Sequence, residues 1–337
     1  MEFFGEAIFY YSGKKKNIMA ELVKKDAKLL ITGAAGLVGQ NLVAELARQG
    51  CTAIVALDNH KGNLDILRTL HPEVTCVHAD LALPGEWEQH FVGIERLFIL
   101  QSQITGGSFA PFQRNTLDST RNILDAAKKH SVPFTVLVGS SVVNSVADDN
   151  YTRSKKEQED ILRASGLPHC VVRPTLMFGW FDPKHLGWLS RFMERVPVYP
   201  IPGHGLYMRQ PLYALDFCRV LIWCAEHTPG EKVFNIVGEE DITYIDIIRT
   251  IKRIKKLRTV ILRIPVPVFR RLLKLYALMV KNPPFVADQL DALMAGDYFT
   301  GDAMRETFGL TPTPFAAAME ETFTHPVYSK VVLERWI

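Results

Sequence analysis

Tyr151 and Lys155 stand four residues apart, and Tyr151 follows a Ser140-Ser141 pair by ten residues from Ser141. On a helix, the tyrosine and lysine share one face. A free phenol titrates near ~10 and is a poor base at neutral pH, and a nearby ammonium favours its phenolate. A serine at an adjacent strand end can hydrogen-bond a substrate oxygen and hold it against the phenol. Together these groups can move a proton on or off a hydroxyl or carbonyl oxygen. YxxxK alone is common and often marks only an exposed helix start with a solvated lysine. Its weight here comes from its surroundings.

The strongest of those surroundings is the stretch Leu29-Leu30-Ile31-Thr32-Gly33-Ala34-Ala35-Gly36-Leu37-Val38-Gly39. Its apolar start, after Lys24, Lys25, Asp26 and Lys28, reads as a buried parallel strand. Val38, Leu42, Val43 and Leu46 then form an amphipathic run that closes at Gly50. Strand, glycine turn and helix place a helix N-terminus beneath a dinucleotide pyrophosphate. The spacing is GxxGxxG, one residue longer than GxGxxG. The β-branched run at 52–57 ends in Asp58, 19 residues after Gly39, near the offset at which a carboxylate meets the adenosine ribose 2′-hydroxyl. An acid there favours NAD over NADP, because it repels a 2′-phosphate, although Lys61 lies nearby.

Strand patterns at 29–32, 52–57, 74–78, 96–100, 134–138 and 169–172 alternate with helical ones, clearest over 115–130. This predicts an α/β Rossmann-type, doubly wound parallel sheet with its ligand across the carboxyl ends of the strands, Asp80 beside the adenine. A chain of 337 residues accommodates that unit and a smaller C-terminal substrate lobe. The boundaries read as an N-terminal extension over 1–27, a dinucleotide-binding domain over 28–175 to which 209–237 returns, a lobe from 176–208 and 238–325, and a tail over 326–337. The return should supply a helix near 214–226 and a strand at 233–237. Within the lobe, Phe178, Trp180, Phe181, Trp188 and Phe192 read as core aromatics.

With 47% hydrophobic and 22% charged residues, the composition is that of a folded globular protein. The five cysteines show no metal spacing and suggest reduced thiols in a cytosolic setting. Residues 1–27 place aromatics before Lys14-Lys15-Lys16, the reverse of a secretory signal, and no window reaches the ~20 apolar residues of a membrane span. No nucleic-acid or metal motif is recognised, and the Ser141, Tyr151 and Lys155 chemistry makes a small-molecule substrate the expected partner.

In this order of motifs the chain resembles the extended short-chain dehydrogenase/reductases, the NAD-dependent epimerase/dehydratase group, over about residues 28–325. The resemblance rests on Thr32–Gly39, Asp58-Asn59, Asp80-Leu81, Asn115 with Thr120, Ser140-Ser141, Tyr151 with Lys155, Arg173-Pro174-Thr175 and Arg209–Asp216. It implies NAD held by Gly33, Ala35, Gly36, Leu37, Val38, Gly39, Asp58, Asn59, Asp80, Leu81, Gln101, Tyr151, Lys155 and Pro174. It implies Tyr151 as acid/base, with Lys155 lowering its pKa and holding the nicotinamide ribose. Ser141 would orient the substrate and Asn115 would support proton relay. Many members dimerise through two helices, one carrying the tyrosine, and a homodimer is the matching expectation here.

Several features depart from the family pattern. The segment between Ser141 and Tyr151 is short, Gln101 replaces a small residue, and Met294-Ala295-Gly296-Asp297 stands where an Arg-Pro-Gly-Asp pattern helps hold nucleotide diphosphates. Tyr151–Glu157, Arg173–Gly179, Gln210–Tyr213 and Asp288-Gln289-Leu290 are similar to the branch that includes the complex I accessory subunit, some of whose members bind a dinucleotide without demonstrated turnover. Three functions are therefore open: hydride transfer at a secondary alcohol or ketone of a nucleotide sugar, with Arg209 toward a substrate phosphate; the same reaction on a hydrophobic, steroid- or lipid-like alcohol; or non-catalytic NAD binding in an assembly or at a membrane. Residues 247–281 carry eleven Lys/Arg and no acid among apolar residues, with Pro265 and Pro267 excluding one continuous helix. This pattern suits either a solvated basic face or peripheral contact with an anionic membrane, placing a cytoplasmic chain against the membrane's inner face.

Overall fold

The computed structural model describes residues 26–145, 149–279, 289–296 and 299–334. The extension expected over 1–27 lies, up to residue 25, outside them. The central sheet consists of β1 (Leu29–Thr32), β2 (Ile54–Asp58), β3 (Thr75–His78), β4 (Arg96–Ile99), β5 (Phe134–Val138), β6 (His169–Pro174) and β7 (Val233–Ile236). These seven strands run parallel in the order β7-β6-β5-β4-β1-β2-β3. The chain winds outward in both directions from β1, and the reversal between β1 and β4 opens a crevice at their carboxyl ends.

Strands covered on both faces need apolar residues at consecutive positions, which is why they read as near-continuous runs. Leu29 and Ile31 pack on the side covered by α1 (Leu37–Arg48), with Leu42 and Leu46, and by a helix over Ala214–His227. Leu30 faces the opposite core, built with Ile123 and Leu124 of α2 (Ser119–Lys129) and Leu162 of α3 (Asn150–Ala164). The helix expected over 115–130 instead begins as a wide π-type turn over Gln113–Asp118 before α2. Such turns displace side chains from the regular helical face, and this one carries Asn115 to the crevice.

A third core joins Phe178, Trp180, Phe181, Tyr199, Ile248, Phe315 and Met319, with Trp188 and Phe192 at its margin. The aromatics of the lobe are packing, not a ligand cage. Residues 326–334 are docked on the main unit: Glu334 donates its N–H to Asn63 Oδ1 at 2.9 Å and accepts from Asn63 Nδ2 at 3.2 Å.

Candidate active site

The site begins at the glycine turn. Gly33 has φ +69°, and a Cβ there would stand 2.6 Å from the backbone nitrogen of Gln101. A Cβ on Gly39 would stand 2.5 Å from Ala34 Cα, so helix–strand packing itself demands that glycine. Gly36 is different. Its φ of −82° suits any residue, and a Cβ would meet only Gly33 O at an ordinary 3.5 Å. Gly36 is also the N-cap of α1 and gives it no side-chain cap. The first helical N–H groups therefore await an acceptor. Gly33, Gly36, Leu37, Val38 and Gly39 line a cavity of about 610 Å³. An uncapped helix start above a bare glycine is a fitting seat for a dinucleotide pyrophosphate.

From this turn the cavity spreads both ways along the carboxyl ends of the strands. On the β2–β3 side lie Asp58, Asn59, Asp80 and Leu81. The Asp58 carboxylate accepts from the N–H of Ala35 and of His60, both at 2.8 Å, and so braces the glycine turn. Burial raises its pKa, while those two hydrogen bonds oppose the rise. A carboxylate has about four lone-pair sites, so a ribose hydroxyl still finds acceptors there. Asp80 is paired with Arg114.

On the β4–β6 side lie Gln101, Asn115, Ser140, Ser141, Tyr151, Lys155 and Pro174. Gln101 is one of the residues that line the cavity. Its side chain is pinned against the sheet, accepting from Thr32 Oγ1 and donating to Thr120 Oγ1. Asp149 caps α3 by accepting from the N–H of Thr152 at 2.9 Å, which sets Tyr151 in the first turn. An ion pair from half-buried Arg173 Nε to buried Glu159 Oε1, at 2.8 Å, fastens the same helix to β6. Both Ser140 and Ser141 line the cavity, and Ser140 is the serine whose hydroxyl acts on the Tyr151 phenol. Burial raises the phenol pKa, the Ser140 bond lowers it, and the charge of Asp149 raises it further. The group is thus a proton donor at neutral pH.

Lys155 is 2% exposed, and its ammonium donates to Val138 O at 2.8 Å and Gln158 Oε1 at 2.6 Å. An ammonium has three donors, so one is left for a ribose hydroxyl. Gln158 is itself fixed, donating to Thr120 Oγ1 at 2.9 Å. The Lys155 ammonium is held by the β5 carbonyl of Val138 and by Gln158. Burial pulls the Lys155 pKa down to about 8, and Glu159 opposes the fall. The unfolded chain therefore keeps a proton that the folded chain has shed from pH 8 to about 10.4. Stability should rise with pH across that window, by up to about 1.4 kcal/mol per pH unit, with the full penalty present below it. Denaturant unfolding followed from about pH 7.5 to 9.5 should show this gain relative to Lys155→Met, whose curve lacks it.

Every residue expected to hold NAD lines this cavity except Ala35, which acts through its N–H on Asp58. Ser141 and Asn115 also line it, and the Asn115 amide donates to Gln103 Oε1 at 2.8 Å. Arg209 is not brought to the cavity; its guanidinium donates to the carbonyl of Leu293 in the lobe. Sequence reasoning offered the Ser140-Ser141 pair but assigned the role to Ser141, and it did not point to Gln158, Lys184, His185 or the apolar rim formed by Ile104, Leu176 and Phe299. Gln158 carried a usable signal, since it lies three residues after Lys155 on the same helix face.

A family model described as the NAD dependent epimerase/dehydratase family matches residues 29–237. The chain belongs to that family. The family is defined by NAD-dependent enzymes, in accord with the seat at the glycine turn. Within it, the chain is similar to "Ceramide reductase" of Caulobacter vibrioides, 26% identical over 242 residues, covering 70% of this chain and 73% of the relative. It is also similar to the 40 kDa mitochondrial subunit of NADH-ubiquinone oxidoreductase of Neurospora crassa, 21% identical over 229 residues, 66% of this chain and 59% of that one. Among solved structures, DesIV, the dTDP-glucose 4,6-dehydratase of Streptomyces venezuelae with NAD bound, superposes with a TM-score of 0.67 at 16% identity, covering 88% of this chain and 95% of that one. That likeness is one of fold.

Proposed function

We propose that this family member reduces a ketone, or in reverse oxidises a secondary alcohol, on a hydrophobic, lipid-like substrate. The observation that carries this reading is the apolar part of the cavity that Tyr151 also lines. Ile104, Leu176 and Phe299 line the cavity yet are 55%, 45% and 42% exposed. Large apolar side chains left in water around an opening are a surface made for an apolar ligand. The diversion of Arg209 to Leu293 supports the same reading, as does the likeness to a ceramide reductase.

NAD, when bound, supplies the hydride chemistry. The chain supplies position and the proton. The pyrophosphate would rest on Gly36 and the start of α1, the adenosine beside Asp58, Asn59, Asp80 and Leu81, and the nicotinamide ribose on Lys155. Pro174 would lie along the nicotinamide. Ser140 and Ser141 would hold the substrate oxygen, and Tyr151 would give it a proton. A buried, protonated phenol favours this reductive direction.

The test is NADH oxidation with long-chain ketones against a panel of nucleotide sugars. Phe299→Ser together with Leu176→Ser should raise KM for the long-chain ketone about tenfold or more, since each lost apolar contact is worth about 1.5–3 kcal/mol when fully buried. KM for a short ketone should stay unchanged. A second reading, a nucleotide-sugar substrate, is favoured by Lys184 in the cavity wall, where it could meet a diphosphate. Under that reading the nucleotide sugar is turned over and Lys184→Ala, not the rim pair, raises KM.

A lipid-like substrate resides in bilayers. We place the chain at the cytoplasmic face of a membrane, in peripheral contact through 247–281. No helix among the described residues is long and apolar enough to cross one.

A further inference from the structure

We propose that a surface hollow on the basic helix over Val266–Met279 seats the phosphate of an anionic membrane lipid, while leucines of the same helix enter the acyl layer. The hollow is lined by Val266, Pro267, Arg270, Arg271 and Lys274. Arg270 and Lys274 are four residues apart and so share one side of the helix, with Arg271 adjoining. Three cations around one depression suit a phosphate monoanion or diester, and arginine forks match its oxygens. Residues 247–281 contain no acid, and Arg271 and Lys274 are exposed.

The apolar half of the device lies on the same element. Val268, Leu272, Leu275 and Tyr276 follow helical one-face spacing and are 46%, 49%, 56% and 42% exposed; Leu278 is 85% exposed. Phe269, at 8% exposure, is the buried residue at the edge of this face, and its neighbours there stay open to solvent. Val260 and Leu262 of the preceding strand, Val260–Ile264, are also exposed and lie just before Arg263. Seven of the seventeen exposed large hydrophobic residues described thus fall between 260 and 278. Exposed leucines interleaved with cations fit the headgroup boundary of an anionic bilayer, where each basic residue adds attraction and the leucines leave water. A nucleic acid would use the charges and leave the leucines in solvent.

This inference rests on the peripheral-membrane reading and adds the partner's chemistry and the residues that recognise it. Flotation of the full chain with phosphatidylcholine vesicles, and with vesicles containing phosphatidylglycerol, tests both. The wild type should bind the anionic vesicles at least tenfold better than the neutral ones, and salt should weaken that binding. Arg271→Glu with Lys274→Glu should lower anionic-vesicle binding more than tenfold. Leu272→Ser with Leu275→Ser should lower it as well. NADH affinity should be unchanged in both variants, which shows that they fold. If the charge-reversed variant binds as the wild type does while the serine variant loses binding, the phosphate seat is overturned and the membrane reading stands. If the wild type binds neither vesicle, both are overturned. If the serine variant instead turns a wild-type dimer into a monomer without any vesicle binding, the face joins two copies of this chain and the lipid seat is overturned.

Discussion

Tyr151→Phe is expected to slow turnover by about 10²–10⁴-fold, the usual worth of a positioned general acid, while NADH affinity and thermal stability stay as in the wild type. The phenol ring remains, so packing in the first turn of α3 is preserved and only the hydroxyl is lost. That hydroxyl bonds Ser140 and lines the cavity at the carboxyl edge of the sheet. Ser140→Ala should reproduce part of the loss and move the pH profile upward, because the Ser140 bond holds the phenol pKa down against burial. Tight NADH binding with no turnover in the wild type, and normal cellular function with Tyr151→Phe, would identify a dinucleotide-holding assembly protein instead.

Gly36→Val is expected to weaken NADH binding about tenfold or more and to leave stability nearly unchanged. The protein has room for a side chain there: φ is −82° and a Cβ would touch only Gly33 O, at 3.5 Å. The added volume enters the cavity where the pyrophosphate would lie, and overfilling a close-packed seat costs about 1–3 kcal/mol. Gly33→Ala provides the contrast. Its φ of +69° and the 2.6 Å approach to Gln101 N put the strain in the fold, so that variant should lose stability whether or not NADH is present. Equilibrium unfolding and NADH fluorescence titration on the two variants separate a glycine required by the ligand from one required by the chain.

Much of this architecture is legible in the chain because parallel strands buried on both faces announce themselves. Each of the first six falls within two residues of its expected span, and for β1, β2 and β5 a buried apolar run ending at glycine or aspartate leaves few alternatives. The glycine turn is legible for the same reason: its spacing answers to steric limits that act within a few residues. The partners of long polar side chains are harder to read. Arg209 had the charge for a substrate phosphate, but its reach takes it to Leu293, 84 positions along the chain. The spacing of Lys155 from Tyr151 is legible in the chain, but the contacts of its ammonium with Val138 O and Gln158 are not. Which of two adjacent serines meets the phenol depends on how β5 ends, and Ser140, as N-cap of the 3-10 turn over Ser141–Asn144, is the one that turns in. The apolar rim comes from the ends of β4 and β6 and from residue 299, positions that only the closed fold brings together.

The most direct test of the site is a crystal structure of the chain with NAD bound. The account predicts the pyrophosphate over Gly36 and the first turn of α1, and the nicotinamide ribose within hydrogen-bond reach of Lys155 Nζ, about 2.6–3.2 Å. The Tyr151 hydroxyl should face the reacting side of the nicotinamide ring across an open pocket rimmed by Leu176 and Phe299. A cofactor whose nicotinamide end lies away from Tyr151, or whose pyrophosphate sits elsewhere than the glycine turn, would contradict it.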